Sequence, residues 1–344
     1  MSDILIIGAG AVGCLTAMEL TRRGAGVTLV ERGELGREAS WAGGGILFPL
    51  LPWRYGEAVN RLALAGAASY PLLAEELHSA TGIDPEYVVS GMRALPDFGG
   101  EAALQWCAGH GVIAEMQAGE LWLPQVAQVR NPRLMLALRR WLENNGVQLR
   151  EHTAVSGLEV IGNRVASIQT GAEALHADHI VVTAGAWSRP LLGEHALALD
   201  LKPIRGQMLL YRLPPGALQQ IYFQDDFYLI PRRDGHILAG STLEDVGFDK
   251  STTVEAADEL HRKAGALLPA LRDQQPIRHW SGLRPGSPDN VPVIGRHPAL
   301  ENLWLNTGHF RYGVTMAPAS SRLIASLLTG EAPFMDASPY EFGA

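Results

Sequence analysis

At roughly 150 residues per domain, 344 residues suit two domains, and 47% hydrophobic with 19% charged residues excludes disordered and collagen-like chains. Lys+Arg 28 against Asp+Glu 36 leaves a net charge of −8, so there is no basic field to hold nucleic acid or an anionic membrane surface, and neither partner is expected. Cys14 and Cys107 are the only cysteines and lie far apart, which excludes a disulfide framework and a structural zinc site, predicts no metal, and suits a reducing, cytoplasmic setting.

Ile4-Leu5-Ile6-Ile7 is a short, wholly apolar run that reads as a buried parallel strand. Residues 11–23 carry Val12, Leu15, Ala17, Met18 and Leu20 at helical spacing and close at Gly24, and Val27–Val30 is a second strand, so residues 4–30 form one βαβ unit. The uncharged stretch Ile4–Met18 follows Asp3 and is interrupted by glycines, which makes it neither a membrane span nor a signal peptide. Residues 37–55 read as a loop of small residues and 58–81 as a long helix. Leu51–Tyr55 follows the loop, either as a lid or as a fixed wall. Asn131-Pro132 starts another helix and Asn145-Gly146 stops it. Then come a strand over 148–151, a hairpin around Gly162-Asn163, and the apolar strand His179–Val182, ending in Thr183-Ala184-Gly185. Strand-rich sequence runs from about residue 202 to 293. Leu303–Asn306 is a last strand, followed by a glycine-flanked turn and a helix over 314–328.

Gly8-Ala9-Gly10-Ala11-Val12-Gly13 lies between the first strand and helix. There the first glycine makes the turn, the second lets a pyrophosphate touch backbone, and the third lets helix and strand pack closely. Glu31 ends the second strand, where an acid bonds a ribose diol. That acid implies an adenosine ribose but does not separate NAD from FAD. Lysine occurs only at 202, 250 and 263, none after a glycine-rich loop, which argues against ATP hydrolysis. Two further segments favour the flavin. Glu38–Ile46 offers small residues and backbone amides to a long cofactor, and Asn306–Gly313 turns from strand into helix. That helix's positive end suits a ring that becomes anionic on reduction. The expected architecture is α/β: a discontinuous Rossmann-like domain over 1–50, 132–190 and 295–335, and a mixed-sheet α+β domain over 51–131 and 191–294.

The fingerprint with Glu31-Arg32, together with Ser40–Gly45, Thr183–Trp187, Ser281-Gly282-Leu283-Arg284-Pro285-Gly286 and Gly308-His309-Phe310-Arg311, resembles the FAD-dependent D-amino acid oxidase family. Within it the chain resembles the glycine oxidases associated with thiamine biosynthesis. The resemblance covers essentially the whole chain. It implies oxidative deamination of glycine or a small amino acid or amine: hydride passes from Cα to flavin N5, the imine hydrolyses to an oxo acid and ammonia, and dioxygen becomes hydrogen peroxide. The product would supply thiamine thiazole synthesis. No dedicated base is needed, because the protein orients substrate and cofactor.

The resemblance also implies roles. Arg284 grips the substrate carboxylate as a planar bidentate fork, Tyr228 bonds it through its hydroxyl, and Arg311 helps hold the reduced ring or the acid. Ile46 and Leu243 line the apolar pocket. Non-covalent FAD contacts fall at Gly8, Gly10, Ala11, Val12, Gly13, Glu31 and Arg32, and at Ala39, Ser40, Ala42, Gly43, Gly44 and Ile46. Further contacts fall at Val155, Thr183, Ala184, Gly185 and Trp187, and at Gly308, His309, Phe310, Arg311, Tyr312, Gly313, Val314 and Thr315. His309 has no acid–base role, and both cysteines are packed thiols. The related sarcosine oxidases attach their flavin to a cysteine near the C-terminus, and here there is none beyond Cys107. A homo-oligomer is compatible with this reading. Three alternatives remain: a D-amino acid dehydrogenase passing electrons to a quinone or another carrier, an NAD-linked dehydrogenase, and a flavin-binding module with a degenerate site.

Overall fold

A computed structural model describes residues 2–96 and 98–343. The first sheet has six strands in the order Val293–Arg296, Leu303–Thr307, His179–Val182, Asp3–Ile7, Gly26–Val30, Gln148–Arg150. Its strands come from the start, middle and end of the chain, and all neighbours are parallel except the edge pair Val293–Arg296 and Leu303–Thr307. Successive side chains of a strand point to opposite faces, so the Ile4–Ile7 run feeds two cores. Ile4 and Ile6 pack into a helical layer formed by Ala11–Arg22, Asn131–Asn144 and Gly313–Thr329. Leu5 and Ile7 face a three-stranded antiparallel sheet built on the hairpin Val155–Ile161 and Arg164–Thr170, through Val165, Ile168 and Leu175. One face is therefore covered by helices and the other by β-structure. Continuous apolar strands announce burial on both sides, but not what covers each side.

The second sheet has eight strands in the order Arg278–Gly286, Lys202–Arg212, His236–Gly240, Phe227–Pro231, Ile221–Gln224, Met92–Ala94, Glu120–Leu123, Glu115–Gln117. Here too period two assigns faces. Phe227 and Leu229 pack against the helix Val254–Leu267, whereas Tyr228 and Ile230 face the opposite core with Met208 and Phe223. The helix Glu57–Thr81, expected with residues 51–131 in the second domain, instead packs Val59, Leu62, Tyr70 and Leu77 into the helical layer of the first sheet. Its Tyr70 hydroxyl donates to the Val314 carbonyl at 2.6 Å. A division at residue 51 is thus a boundary of chain and not of packing, because this helix's apolar face completes the other core. Among the described residues no helix is long and apolar enough to cross a membrane.

Candidate active site

Between the two sheets runs a cavity of about 450 Å³, lined by the glycine fingerprint at one end and by Tyr228, Arg284 and Arg311 elsewhere. The fingerprint end is built by close approach. Gly8 turns at φ +108° and donates its N–H to the Val30 carbonyl at 2.8 Å, bringing the first strand's end beside the second. The Glu31 carboxylate accepts from the Ala9 N–H at 2.9 Å and the Gly33 N–H at 3.0 Å, so it holds the loop's shape as well as facing the cavity. The helix Ala11–Arg22 begins here with no acid in its first turn, and the Ala11 N–H donates to Ser40 Oγ at 2.8 Å. The helix's positive end therefore opens onto the cavity, where it favours an anionic ligand. Arg32 lies 3.7 Å above the Trp187 ring and bonds Glu38 at 2.8 Å.

Beside the helix Ala11–Arg22 in the same helical layer, the C-terminal helix Gly313–Thr329 opens onto the cavity through Gly313, Val314 and Thr315, again with no acid in its first turn. Thr315 Oγ1 donates to the Ile46 carbonyl at 2.9 Å, tying this helix start to the 43–46 loop. His309 is buried on the cavity wall, and burial pushes its pKa down to about 3. It is neutral at physiological pH and a poor base. Its Nε2 has no protein partner, nor does the buried Oδ1 of Asn131, another lining residue. Buried polar atoms demand partners. Two helix starts opening onto one cavity, an acid at the end of the second strand and orphaned polar atoms along the wall together fit an elongated, anionic, heteroaromatic ligand such as FAD.

Arg284 comes from the strand Arg278–Gly286 and is walled in by protein, with its Nη2 donating to Ser241 Oγ at 2.6 Å and Nη1 to the Thr242 carbonyl at 3.2 Å. Burial lowers its pKa; nearby Tyr228 opposes this and the Arg311 charge adds to it. A guanidinium short of water, whose two bonded partners are neutral, is prepared to bind an acid. Tyr228 lines the same stretch, with its hydroxyl 3.5 Å from Met208 Sδ. Arg311 also lines the cavity, but its Nη1 is bonded to Asp226 at 2.7 Å. Burial works against its charge, and the Asp226 bond and the nearby Tyr55 raise its pKa overall.

Most residues expected at the site line this one cavity, including Ile46, Val155, Ala39, Gly43, Thr183, Ala184, Gly185, Gly308, Phe310 and Tyr312. Three do not. Leu243 is 52% exposed and does not line the cavity: past Gly240 the chain stays beside the strand Lys202–Arg212, with Glu244 exchanging both backbone hydrogen bonds with Arg205, and Leu243 is left facing solvent. Ala42 is buried, but its carbonyl accepts from Trp280 Nε1 at 3.1 Å and its methyl packs toward Gly282, so it fastens the cofactor loop to the second sheet. Gly13, the third glycine of the fingerprint, lies against Gly8 and Thr183 away from the cavity and serves packing. Leu51–Tyr55, read from sequence as a lid or a wall, does not itself line the cavity; Trp53 Nε1 donates to the Phe98 carbonyl at 2.6 Å, Asn60 Nδ2 to the Pro52 carbonyl at 2.9 Å, and the Tyr55 and Tyr312 rings meet edge to face at 5.4 Å.

Sequence reasoning missed Phe48, Leu50 and Asn131 in the lining and Gly206 behind it. Gly206 pairs with Gly282 in the strand register, and a Cβ there would lie 2.5 Å from Arg284 Cζ. A glycine inside a strand signals such a close approach, and Arg205-Gly206-Gln207 showed that signal. Gly206→Ala should therefore displace the Arg284 fork while the sheet still forms. The expected result is a KM for amino acids raised by about tenfold or more with little change in melting temperature, since one misaligned charge-assisted bond costs roughly 1.5–3 kcal/mol. An unchanged KM in steady-state kinetics would refute the contact.

Among the described residues no group of three or more His, Cys, Asp or Glu could hold a metal. Residues 3–327 match the family model DAO, described as FAD dependent oxidoreductase. The chain is 45% identical to the glycine oxidase of Pseudomonas aeruginosa, over 98% of this chain and 97% of that protein. It is 33% identical to the bifunctional protein ThiO/ThiG of Trichormus variabilis, over 95% of this chain and 52% of that one. The crystal structure of glycine oxidase from Geobacillus kaustophilus superposes with a TM-score of 0.93 at 26% identity, covering 99% of this chain and 98% of that one. This chain, whose cavity joins two helix starts to a buried arginine, belongs to the DAO family of FAD-dependent oxidoreductases.

Proposed function

We propose that the protein oxidises glycine or a similarly small amine-bearing acid, such as sarcosine or D-alanine, to an imine that water converts to the oxo acid and ammonia or amine. Dioxygen is the electron acceptor, and the product supplies thiamine thiazole synthesis. The observation that carries this reading is Arg284, a walled-in guanidinium with neutral bonded partners in the same cavity as a dinucleotide fingerprint. Likeness to glycine oxidases over nearly the full chain supports it.

FAD, when bound, supplies the two-electron acceptor. In this reading Glu31 takes its ribose, the Gly10–Val12 backbone its pyrophosphate, and the 43–46 and 308–315 segments its ring. Arg284 and the Tyr228 hydroxyl clamp the carboxylate, so the substrate's α-carbon is held in one orientation. Ile46, Phe48 and Leu50 bring apolar surface to the lining, which excludes water and limits side-chain size. The carboxylates among the described lining residues are Glu31 and Glu38, both with the fingerprint, and His309 is a weak base. The amine therefore reacts in its free form, with positioning in place of proton abstraction by a side chain. Cys14 and Cys107 are buried and unpaired, with burial raising both thiol pKa values, Cys107 to about 11, which fits a reducing, cytoplasmic setting.

The purified protein should be yellow, lose its visible flavin band on anaerobic addition of glycine, and form peroxide in air. A colourless protein that takes up no FAD would sink the reading. Bleaching without peroxide would instead assign the electrons to a quinone or another carrier.

A further inference from the structure

We propose that Asp226 restricts the pocket to substrates bearing one carboxylate, by occupying Arg311, which lines the cavity together with Arg284. This deepens the reading of the site as an amino acid oxidase and rests on it. Both Arg284 and Arg311 line the cavity, close enough that the charge of Arg311 lowers the pKa of Arg284. Their partners differ. Arg284 bonds a hydroxyl and a carbonyl, and its charge is left for a ligand. Arg311 is bonded to Asp226, with 22% of the arginine and 56% of the aspartate side chain exposed, so the pair stands at the rim.

The aspartate is placed there by the backbone. Strands Ile221–Gln224 and Phe227–Pro231 pair with Gln224 opposite Phe227, leaving a two-residue turn, Asp225-Asp226, with φ values of 48° and 63°. Both residues are left-handed, as a tight hairpin that matches strand twist requires. Asp226 closes the turn just before the strand that carries Tyr228, and its Oδ1 accepts from Arg311 Nη1 at 2.7 Å. The hairpin thus delivers an anion to Arg311 from the turn before the strand that delivers a hydroxyl to the pocket. A substrate with a second acid group would have to displace Asp226 from Arg311 and would be repelled by it. A monocarboxylate meets neither obstacle.

Iminodiacetate, a secondary amine with two acetate arms, is the probe. Its oxidation balances as iminodiacetate plus dioxygen plus water giving glycine, glyoxylate and hydrogen peroxide. Two hydrogens leave the N–Cα bond and pass to dioxygen, and water cleaves the resulting C=N bond. Asp226→Asn removes the charge, and asparagine tolerates the left-handed turn. In this holoenzyme variant the ratio of kcat/KM for iminodiacetate to that for glycine should rise by about tenfold or more, through a lower iminodiacetate KM. The gain should vanish in the double variant Asp226→Asn/Arg311→Gln. A ratio changed by less than about twofold, or a gain that survives loss of Arg311, would overturn the proposal. If wild-type enzyme oxidises neither amine, the oxidase reading fails on its own. Calorimetric titration of the holoproteins with iminodiacetate then decides: tighter binding by Asp226→Asn supports the role of Asp226, and equal affinity refutes it.

Discussion

Replacing Arg284 with alanine is expected to raise the KM for a carboxylate-bearing amine by roughly 150- to 5,000-fold, with flavin still bound. Removing one member of an enclosed ion pair leaves the other charge without a partner and costs roughly 3–5 kcal/mol, which corresponds to that range. Water cannot fill in cheaply, because the guanidinium is walled in between the strand Arg278–Gly286 and the segment around Ser241 and Thr242. Flavin binding should survive, since Glu31, the Ala11–Arg22 helix start and the 43–46 loop belong to other elements. Arg284→Lys should fall between: the charge remains and the bidentate fork is lost. Steady-state kinetics with glycine, paired with flavin-to-protein absorbance, checks this. A KM within about threefold of wild type would remove Arg284 from the carboxylate site.

Gly13→Ala should cost stability and flavin together, against the sign that helix propensity alone assigns. A glycine in a helix interior is about 1 kcal/mol worse than alanine, so the substitution is stabilising by that rule. Here the helix Ala11–Arg22 rests so closely on the first strand that a Cβ at Gly13 would lie 2.6 Å from Thr183 Oγ1 and nearer still to the Gly8 carbonyl. Overpacking costs roughly 1–3 kcal/mol, and more when the obstacle is backbone, so the clash wins and the net loss is about 2 kcal/mol. Relief requires moving the helix start away from Thr183 and Gly8, which are walls of the cavity. Thermal unfolding of the apoprotein and its flavin uptake are the measurements. Gly109→Ala, in the helix Gly100–Gly109 with nothing within 4 Å of a Cβ, is the control and should be neutral or stabilising. Equal behaviour of the two variants would show that close packing is not what Gly13 provides.

Some of this molecule is written locally in the chain. The strands Ile4–Ile7 and His179–Val182 are apolar on both faces, the helix 131–144 carries its own start and stop, and the fingerprint with Glu31 is a short motif for a dinucleotide. Each depends on neighbours within a few residues or on a short motif, so sequence alone determined the α/β character, the βαβ unit, the cofactor end of the cavity and, through family likeness, Arg284 and Tyr228. Leu243 shows where that ends: its exposure follows from how residues 242–244 pair with Arg205 and Gln207, 35 to 39 residues away in the chain, and no local rule gives that register.

Register and packing between distant segments were decided by the tertiary structure alone. The helix Glu57–Thr81 joined the first sheet's core and not the second, and the hairpin at Gly162 covered a sheet face that a doubly wound fold gives to helices. Gly206 gave room to Arg284 because Ile204, not Gly206, is its strand partner. Arg311 met Asp226 across a separation of 85 residues. Such contacts depend on which strands pair and in what register, and pairing is set by the whole core; no short stretch of chain contains that information.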